Sequence, residues 1–264
     1  MNVDDSVLVR QRGAVTIISV NRPNRRNSVD GRTARRLYEE FKAFDGNNDA
    51  SVAILTGEGG TFCAGADLKA IAEVDLEKRC GVGGLNTLAP MGPTRLRLSK
   101  PVIAAVEGYA VAGGMELALW ADLRVMAEGA HFGIFCRRFG VPLVDLGTIR
   151  LPRLIGQARA MDLILTGREV GAREAFDIGL ANRVTPEGKA LEQAIALAEN
   201  IAAFPQNCLR QDRLSTLQQW DLDEGDAIAN EVQGGLRVIE TGESLKGAAS
   251  FVSGVGRHGA FEHQ

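Results

Sequence analysis

The sequence has no long apolar segment and almost no excess of either charge. Its most apolar stretches, 101–106 and 111–121, are bounded or interrupted by Glu107 and Glu116, so none approaches the roughly 20 apolar residues of a membrane-spanning helix. Thirty Lys and Arg residues against 33 Asp and Glu residues leave a net charge of −3. Such a chain has no general attraction for nucleic acids or anionic membranes, and we expect neither as a partner. The acidic N-terminus has no apolar run, so no signal peptide is expected.

Cysteine and histidine are scarce. The four cysteines form no CxxC pair, a pattern that indicates reduced thiols in a cytoplasmic protein and no zinc site. They are Cys63, Cys80, Cys136 and Cys208. Only three histidines are present, two of them close to the C-terminus. A Ser-His-Asp triad and a histidine-rich metal site are therefore both disfavoured.

The common nucleotide-binding and hydrolase motifs give no support for those functions. Residues 254–259 match GxGxxG, but only five residues follow them. A dinucleotide site needs this motif between a strand and a helix, so the match is accidental. The sequence contains neither a GxxxxGK[ST] phosphate loop nor a GxSxG nucleophile elbow.

Short β-type segments alternate with helical ones in the first half, which predicts an α/β core. With only 5% aromatic residues, that core must rely on Val, Ile, Leu and Ala. A hairpin is predicted at Ser6–Arg10 and Ala14–Val20, linked by residues 11–13, and a helix directly after Glu107 and Gly108. The other predicted elements of this half are a helix at Asp30–Phe44 and strands at Val52–Thr56, Pro101–Val106 and Leu123–Ala127.

Beyond Arg150 nearly every segment has helical spacing. Pro205 is a natural break, so we predict an α/β core over residues 1–204 and a helical C-terminal region for oligomerisation over residues 205–264. The predicted helices of the second half are Leu151–Leu165, Arg168–Ile178, Glu187–Ala203, Gln206–Trp220, Asp226–Ile239 and Glu243–Val252.

Two glycine-rich segments, TFCAGADLK at 61–69 and GYAVAGGMELA at 108–118, each follow a predicted strand. Ligands bind at strand ends in α/β sheets, and small residues let a ligand approach the backbone. Gly113 would present a free N–H at the start of a helix, where the helix dipole also favours negative charge. Glu116 lies about one turn further on the same face. A carboxylate beside an anion-binding amide suits proton chemistry next to an oxyanion, although close packing and dipole complementation are simpler explanations of each feature alone.

The two segments together resemble the paired signatures of the enoyl-CoA hydratase/isomerase (crotonase) family. The resemblance extends from residues 21–23 to about residue 180 and continues more weakly in the C-terminal helices. It implies a spiral of strand-strand-helix units with a helical C-terminal region that packs against neighbouring subunits, usually in trimers or hexamers. It also implies an acyl-CoA substrate, with coenzyme A as part of the substrate and no metal or redox cofactor.

The resemblance implies a role for individual residues. The N–H groups of Ala66 and Gly113 would form an oxyanion hole, and Glu116 matches the first of two catalytic glutamates. Arg25 or Arg26 would meet the coenzyme phosphates, unless both lie in a solvated loop. The adenine and pantetheine path would be lined by Cys63, Ala64, Ala66, Asp67 and Leu68, and residues 70–93 would shape the acyl pocket.

The sequence departs from the hydratase pattern at one position. Cys136 stands where the hydratases carry their second glutamate, and a thiol with a reference pKa of about 8.5 is not equivalent to a carboxyl group of about 4.3 in a water-orienting network. Asp145 resembles an aspartate that some family isomerases use, but it could instead cap the helix that starts near Thr148. Cys136 could also act as a nucleophile, because Arg137 and Arg138 would lower its pKa, but no histidine is available as its base.

The leading functional hypothesis is hydration of a 2-enoyl-CoA, with Glu116 handling water or the Cα proton. The closest alternative is double-bond isomerisation by Glu116 and Asp145. A third hypothesis is a CoA-binding homologue without catalytic activity, against which the presence of Glu116 argues.

Overall fold

The computed structural model describes residues 5–73 and 83–256. The strands are β1 (Val7–Arg12), β2 (Val15–Val20), β3 (Val52–Gly57), β4 (Val102–Val106), β5 (Tyr109–Val111), β6 (Leu123–Ala127), β7 (His131–Gly133), β8 (Glu169–Gly171) and β9 (Arg183–Thr185). The helices are α1 (Gly31–Gly46), α2 (Leu68–Ala72), α3 (Gly113–Trp120), α4 (Gly147–Ile155), α5 (Gln157–Thr166), α6 (Ala172–Asp177), α7 (Ala190–Ala202), α8 (Gln206–Gln218), α9 (Glu224–Glu240) and α10 (Glu243–Val252). No helix in the described ranges combines the length and apolarity needed to cross a membrane.

Six strands form the main sheet in the order β1-β2-β3-β4-β6-β9. The predicted N-terminal hairpin is confirmed, with Val7 opposite Val20 and Arg12 opposite Val15. The turn is shorter than predicted, because Gly13 adopts a φ of +55° and closes it. From β2 onward all neighbouring strands are parallel.

The centre of the main sheet is covered on both faces. Every residue of β2 and β4 is buried, as expected for parallel strands with helices on both sides. The side chains there are mainly Val, Ile, Ala and Leu, as the low aromatic content predicts. At one edge of this core, Phe41 of α1 meets Trp120 of α3 edge to face, with ring centroids 4.7 Å apart.

A second sheet, in the order β5-β7-β8, was not predicted. The helix predicted directly after Gly108 begins only at Gly113, since β5 comes first and pairs with β7. The helix predicted at Arg168–Ile178 is likewise wrong in its first part, which is β8. Strands of three residues are too short to show a period of two, so their existence depends on their pairing partners.

Several predicted helices are confirmed, but one is divided. Asp30 caps α1 by accepting a hydrogen bond from the N–H of Thr33, and α10 has the predicted bounds. The single helix predicted at Leu151–Leu165 is instead α4 and α5, because Gly156 adopts a φ of +81° between them.

The chain forms two compact units, Met1–Glu199 and Asn200–Gln264. The first contains both sheets. In the second, Glu243 at the start of α10 accepts hydrogen bonds from the N–H groups of Asn207 and Cys208 at the start of α8. This division falls five residues before the predicted boundary at 204/205.

The close approach of α3 to the neighbouring loop gives a stability prediction. A Cβ on Gly114 would lie 2.1 Å from the carbonyl oxygen of Cys63. We expect Gly114→Ala to lower the free energy of unfolding by about 1–3 kcal/mol, as overpacking typically does. The matched control is Gly46→Ala at the end of α1, where a Cβ has no neighbour within 4 Å. Urea unfolding of both variants tests this, and an equally stable Gly114→Ala protein would contradict it.

Candidate active site

The two glycine-rich segments lie side by side. The N–H of Cys63 donates to the carbonyl of Tyr109 at 2.9 Å, and the N–H of Val111 donates to the carbonyl of Cys63 at 3.0 Å. The loop at 61–65 therefore runs along β5 as a short parallel partner. Gly65 adopts a φ of +91°, where a residue with a side chain is strained, and a Cβ there would lie only 3.0 Å from the nitrogen of Gly113.

Ala66 and Gly113 line the same cavity. Around Ala66, the N–H of Val29 donates to Gly65 and the N–H of Asp67 donates to Val29. In this parallel pattern the N–H of Ala66 itself points away from Val29. Gly113 is the first residue of α3, where the N–H has no acceptor within the helix. The structure thus brings together the two amides that the sequence singles out.

The residue before α3 has an unusual backbone. Ala112 adopts a φ of +53° and a ψ of −125°, a region that residues with a side chain rarely occupy. Such conformations occur where the surroundings determine them, and they cluster at active sites. Here the conformation turns the chain from β5 directly into α3, whose first residue, Gly113, lines the cavity.

Arg22 fixes the loop that carries Ala66. Its guanidinium forms ion pairs with Asp30 at 2.9 Å and Asp67 at 3.1 Å, and it donates to the carbonyl of Ser28. Burial raises the pKa of Asp67, but the bonds from Arg22 and from backbone N–H groups outweigh it, so the net pKa is below its usual range. The side chain of Asp67 thus has a structural role, and it also caps α2. Its contact with coenzyme A stays a prediction.

The cavity has a volume of about 110 Å³ and a mostly apolar lining. An apolar pocket with a few convergent polar groups is typical of a small-molecule site. Its polar side chains are Glu116, Cys136 and Asp145. The larger apolar side chains that line it include Leu68, Ile71, Met91, Phe135, Phe139, Val141 and Val144. Among the described residues, no three His, Cys, Asp or Glu side chains are placed to hold a metal ion.

Glu116 is buried, with 3% of its surface exposed. Its Oε1 accepts hydrogen bonds from the N–H groups of Asp145 at 2.9 Å and Gly147 at 2.8 Å. Its Oε2 has no hydrogen-bonding partner within the described part of the chain. Burial, and then the charge of Asp145, raise the pKa of Glu116 to about 8, against the opposing effects of the two N–H groups and Arg150. The carboxyl group can therefore both give and take a proton near neutral pH.

Asp145 lines the same cavity. Its Oδ1 accepts hydrogen bonds from the N–H of Met91 at 3.0 Å and the hydroxyl of Thr94 at 2.5 Å. Burial raises the pKa of this carboxyl, although these hydrogen bonds oppose the effect. The alternative that Asp145 caps a helix is wrong, because α4 begins after Leu146 and has no side-chain cap.

Cys136 lies on a short 3₁₀ helix, Phe135–Phe139, and faces the cavity. Burial and the nearby charge of Glu116 raise the pKa of its thiol, and Arg137 only partly opposes them. The thiol is therefore protonated at neutral pH, which makes it a poor nucleophile. No histidine lines the cavity among the residues described.

Of the other residues predicted to contact coenzyme A, some line the cavity and some do not. Ala64 and Leu68 line the cavity, whereas Cys63 is buried behind it with its pKa raised by burial to about 12. Arg25 and Arg26 are exposed in the turn after β2. The carbonyl of Arg26 accepts the N–H of Ala64 at 3.0 Å, so this turn adjoins the cavity loop.

Sequence reasoning missed two residues that support the carboxylates, Thr94 and Arg150. Neither belongs to a recognisable motif. The helical spacing of α4 could have indicated that Arg150 is partly buried. Arg150 directly precedes Leu151, and Gly147, Leu151 and Ile155 form the buried face of this helix. Of the segment predicted to shape the pocket, Ile71 and Met91 line it, while residues 74–82 lie outside the described ranges.

The raised pKa of Glu116 predicts how stability changes with pH. Folding favours its protonated form, so the stabilisation is complete below the ordinary pKa near 4.5 and is lost as pH rises towards 8. Between pH 5 and 8 the wild type should lose about 3 kcal/mol more unfolding free energy than Glu116→Gln, which cannot ionise. Urea unfolding across this range measures the difference, and parallel pH profiles would contradict the assignment.

The chain is similar to known proteins of one enzyme family. The sequence model of the Enoyl-CoA hydratase/isomerase family matches residues 10–255. The enoyl-CoA hydratase EchA19 of Mycobacterium tuberculosis is 35% identical over 251 residues, covering 92% of each chain. The carnitinyl-CoA dehydratase of Proteus mirabilis is 37% identical over 202 residues, covering 76% of each. A crystal structure of an enoyl-CoA hydratase from Mycobacterium tuberculosis matches with a TM-score of 0.88 and 39% identity, covering 95% of this chain and 96% of that one, which confirms the predicted crotonase-like fold. The chain is a member of the enoyl-CoA hydratase/isomerase family.

Proposed function

We propose that the protein hydrates a 2-enoyl-CoA. The observation that supports this most strongly is a buried carboxyl group, Glu116, which lines the same cavity as Ala66 and Gly113. Enolate chemistry needs donors for the developing oxyanion and a proton carrier beside it. The names of the related hydratases point to the same reaction.

In the proposed reaction, the thioester oxygen accepts hydrogen bonds from Ala66 and Gly113. Water adds through its oxygen to C3 of the acyl chain, and the electron pair of the double bond moves towards the thioester, giving an enolate at the two amides. Glu116 takes a proton from the water and returns a proton to C2. A pKa of about 8 suits both halves of this exchange near neutral pH.

The substrate enters with coenzyme A as its only carrier group. In this proposal Ala64 and Leu68 flank the pantetheine path, and Arg25 or Arg26 meets the phosphates from the exposed turn. The apolar lining favours an acyl group without charge. No metal or redox cofactor takes part, and the protein acts in the cytoplasm.

Double-bond isomerisation is a second candidate, because Asp145 lines the cavity beside Glu116. One carboxylate would remove a proton from C2 and the other would deliver one to C4. The raised pKa of Asp145 suits it to hold a proton for such a transfer. Cys136, at the position of the second hydratase glutamate, would then have no part in the chemistry.

The two carboxyl groups can be distinguished by amide substitutions. Glu116→Gln should lower kcat for hydration by a factor of about 10² to 10⁴, the usual contribution of a general acid or base. Calorimetry with acetoacetyl-CoA should show nearly unchanged binding, because the N–H donors remain. Asp145→Asn should be similarly damaging for 3-enoyl-CoA conversion if the enzyme is an isomerase, and mild for hydration if it is not.

Cys136→Ser is the matched control, since it changes a polar group of the same cavity without removing a carboxylate. Its effect should be small with either substrate. An active Glu116→Gln variant together with an inactive Cys136→Ser variant would contradict the assignment. A wild type that binds no acetoacetyl-CoA at millimolar concentration would contradict the proposed function as a whole.

We further propose that the protein is a homotrimer or homohexamer. Several large apolar side chains of the second compact unit are more than half exposed, and exposed apolar patches mark association surfaces. They include Leu236, Ile239, Phe251 and Val252. The resemblance to the family assigns the C-terminal helices to subunit contacts.

Light scattering should give a mass of three or six chains. Leu236→Glu should shift the protein towards smaller species, because it places a charge in the proposed contact. Gln233→Glu, on an exposed position of the same helix, is the control and should leave the mass unchanged. A wild-type monomer at working concentration would contradict this proposal.

A further inference from the structure

The orientation of Glu116 depends on the turn that leads into α4. Both hydrogen bonds to its Oε1 come from backbone N–H groups, that of Asp145 in the turn and that of Gly147, the first residue of α4. Between them Leu146 adopts a φ of +70°. A residue with a side chain holds that conformation only where its surroundings determine it. Something must therefore hold the turn in place.

Arg150 makes contacts that do so. Its Nη1 donates to the carbonyl of Asp145 at 3.2 Å, and its Nη2 donates to the carbonyl of Thr94 at 2.6 Å. Thr94 in turn donates its hydroxyl to the carboxylate of Asp145 at 2.5 Å. One planar guanidinium thus joins the 3₁₀ helix at Pro93–Arg95 to the turn that supports Glu116, a geometry that a lysine ammonium cannot reproduce.

Arg150 also places a positive charge beside the two buried carboxyl groups. It bonds to neither carboxylate directly, and it does not line the cavity. Its own pKa is lowered by burial to about 10, so it is charged at neutral pH. The charged groups that act on it are Glu116, Asp145, Arg97 and Arg153, and Arg95 acts on Asp145.

We propose that Arg150 is a positioning residue of the acid/base site, which clamps the turn under Glu116 and places a positive charge beside that carboxyl group. The role in turnover rests on the proposed function, whereas the effect on the carboxyl group does not. Both the geometry and the charge of the guanidinium are used. The carbonyls of Asp145 and Thr94 need a donor with two separate N–H groups, and the carboxyl groups of Glu116 and Asp145 need a nearby cation.

Two substitutions separate these contributions. Arg150→Gln removes the charge, and Arg150→Lys keeps the charge but loses the forked bridge. Arg159→Gln removes the same charge from an exposed position on α5 and is the control. The first readout is infrared titration of the carboxyl groups in the free protein, with the Glu116 band assigned from its absence in Glu116→Gln.

We expect the Glu116 band to titrate about one pH unit higher in Arg150→Gln, because loss of an adjacent cation favours the neutral acid. Arg150→Lys and Arg159→Gln should titrate like the wild type. The kcat for 2-enoyl-CoA should fall between about tenfold and a hundredfold in both Arg150 variants, since a small misplacement is costly. KM should change little, because Arg150 does not line the cavity. Arg159→Gln should keep the wild-type kcat.

An unchanged Glu116 titration in Arg150→Gln would overturn the proposal, as would a wild-type kcat in Arg150→Lys. If Arg150→Gln does not fold, Arg150→Lys decides: normal titration with lowered kcat supports the proposal, and normal kcat overturns it. If the wild type converts no enoyl-CoA while the band still shifts in Arg150→Gln, the proposed function fails and the effect of Arg150 on Glu116 stands.

Discussion

The two hydrogen bonds from the backbone to Oε1 of Glu116 are the contacts on which the site depends. They hold one carboxylate oxygen of a side chain that lines the cavity together with Ala66 and Gly113. An isolated buried carboxylate would be too costly to ionise. With two N–H donors and a nearby cation, the protonated and ionised forms of Glu116 are instead balanced near neutral pH, at a pKa of about 8. Proton exchange is thus possible in a largely apolar pocket.

These contacts depend in turn on close backbone packing elsewhere. Gly114 lies against the carbonyl of Cys63, and Gly65 lies against the start of α3, so each position must lack a side chain. Arg22 holds the loop after Gly65 from outside through Asp67. The glycine-rich sequences thus allow two chain segments to meet. The carboxyl side chains that line the cavity come from α3 and from the turn before α4.

The sequence predicted those parts of the molecule that depend on local signals. The hairpin, β6 and α10 follow from period and turn residues, and the juxtaposition of Gly113 and Glu116 follows from helical spacing. The three-residue strands β5, β7 and β8 were missed because tertiary pairing alone defines them. The anchoring of Asp145 was missed for the same reason, since its partner Thr94 is 51 residues away in the chain. Long-range polar contacts of this kind leave no periodic trace.

The central claim is that Glu116 and the N–H groups of Ala66 and Gly113 act on one thioester. A crystal structure with bound acetoacetyl-CoA tests it most directly. We predict that the thioester oxygen lies about 2.7–3.1 Å from both amide nitrogens, and that the acyl carbons beyond it lie against the free oxygen of Glu116. A thioester oxygen out of reach of either amide, or an acyl chain that leaves the cavity away from Glu116, would contradict the account.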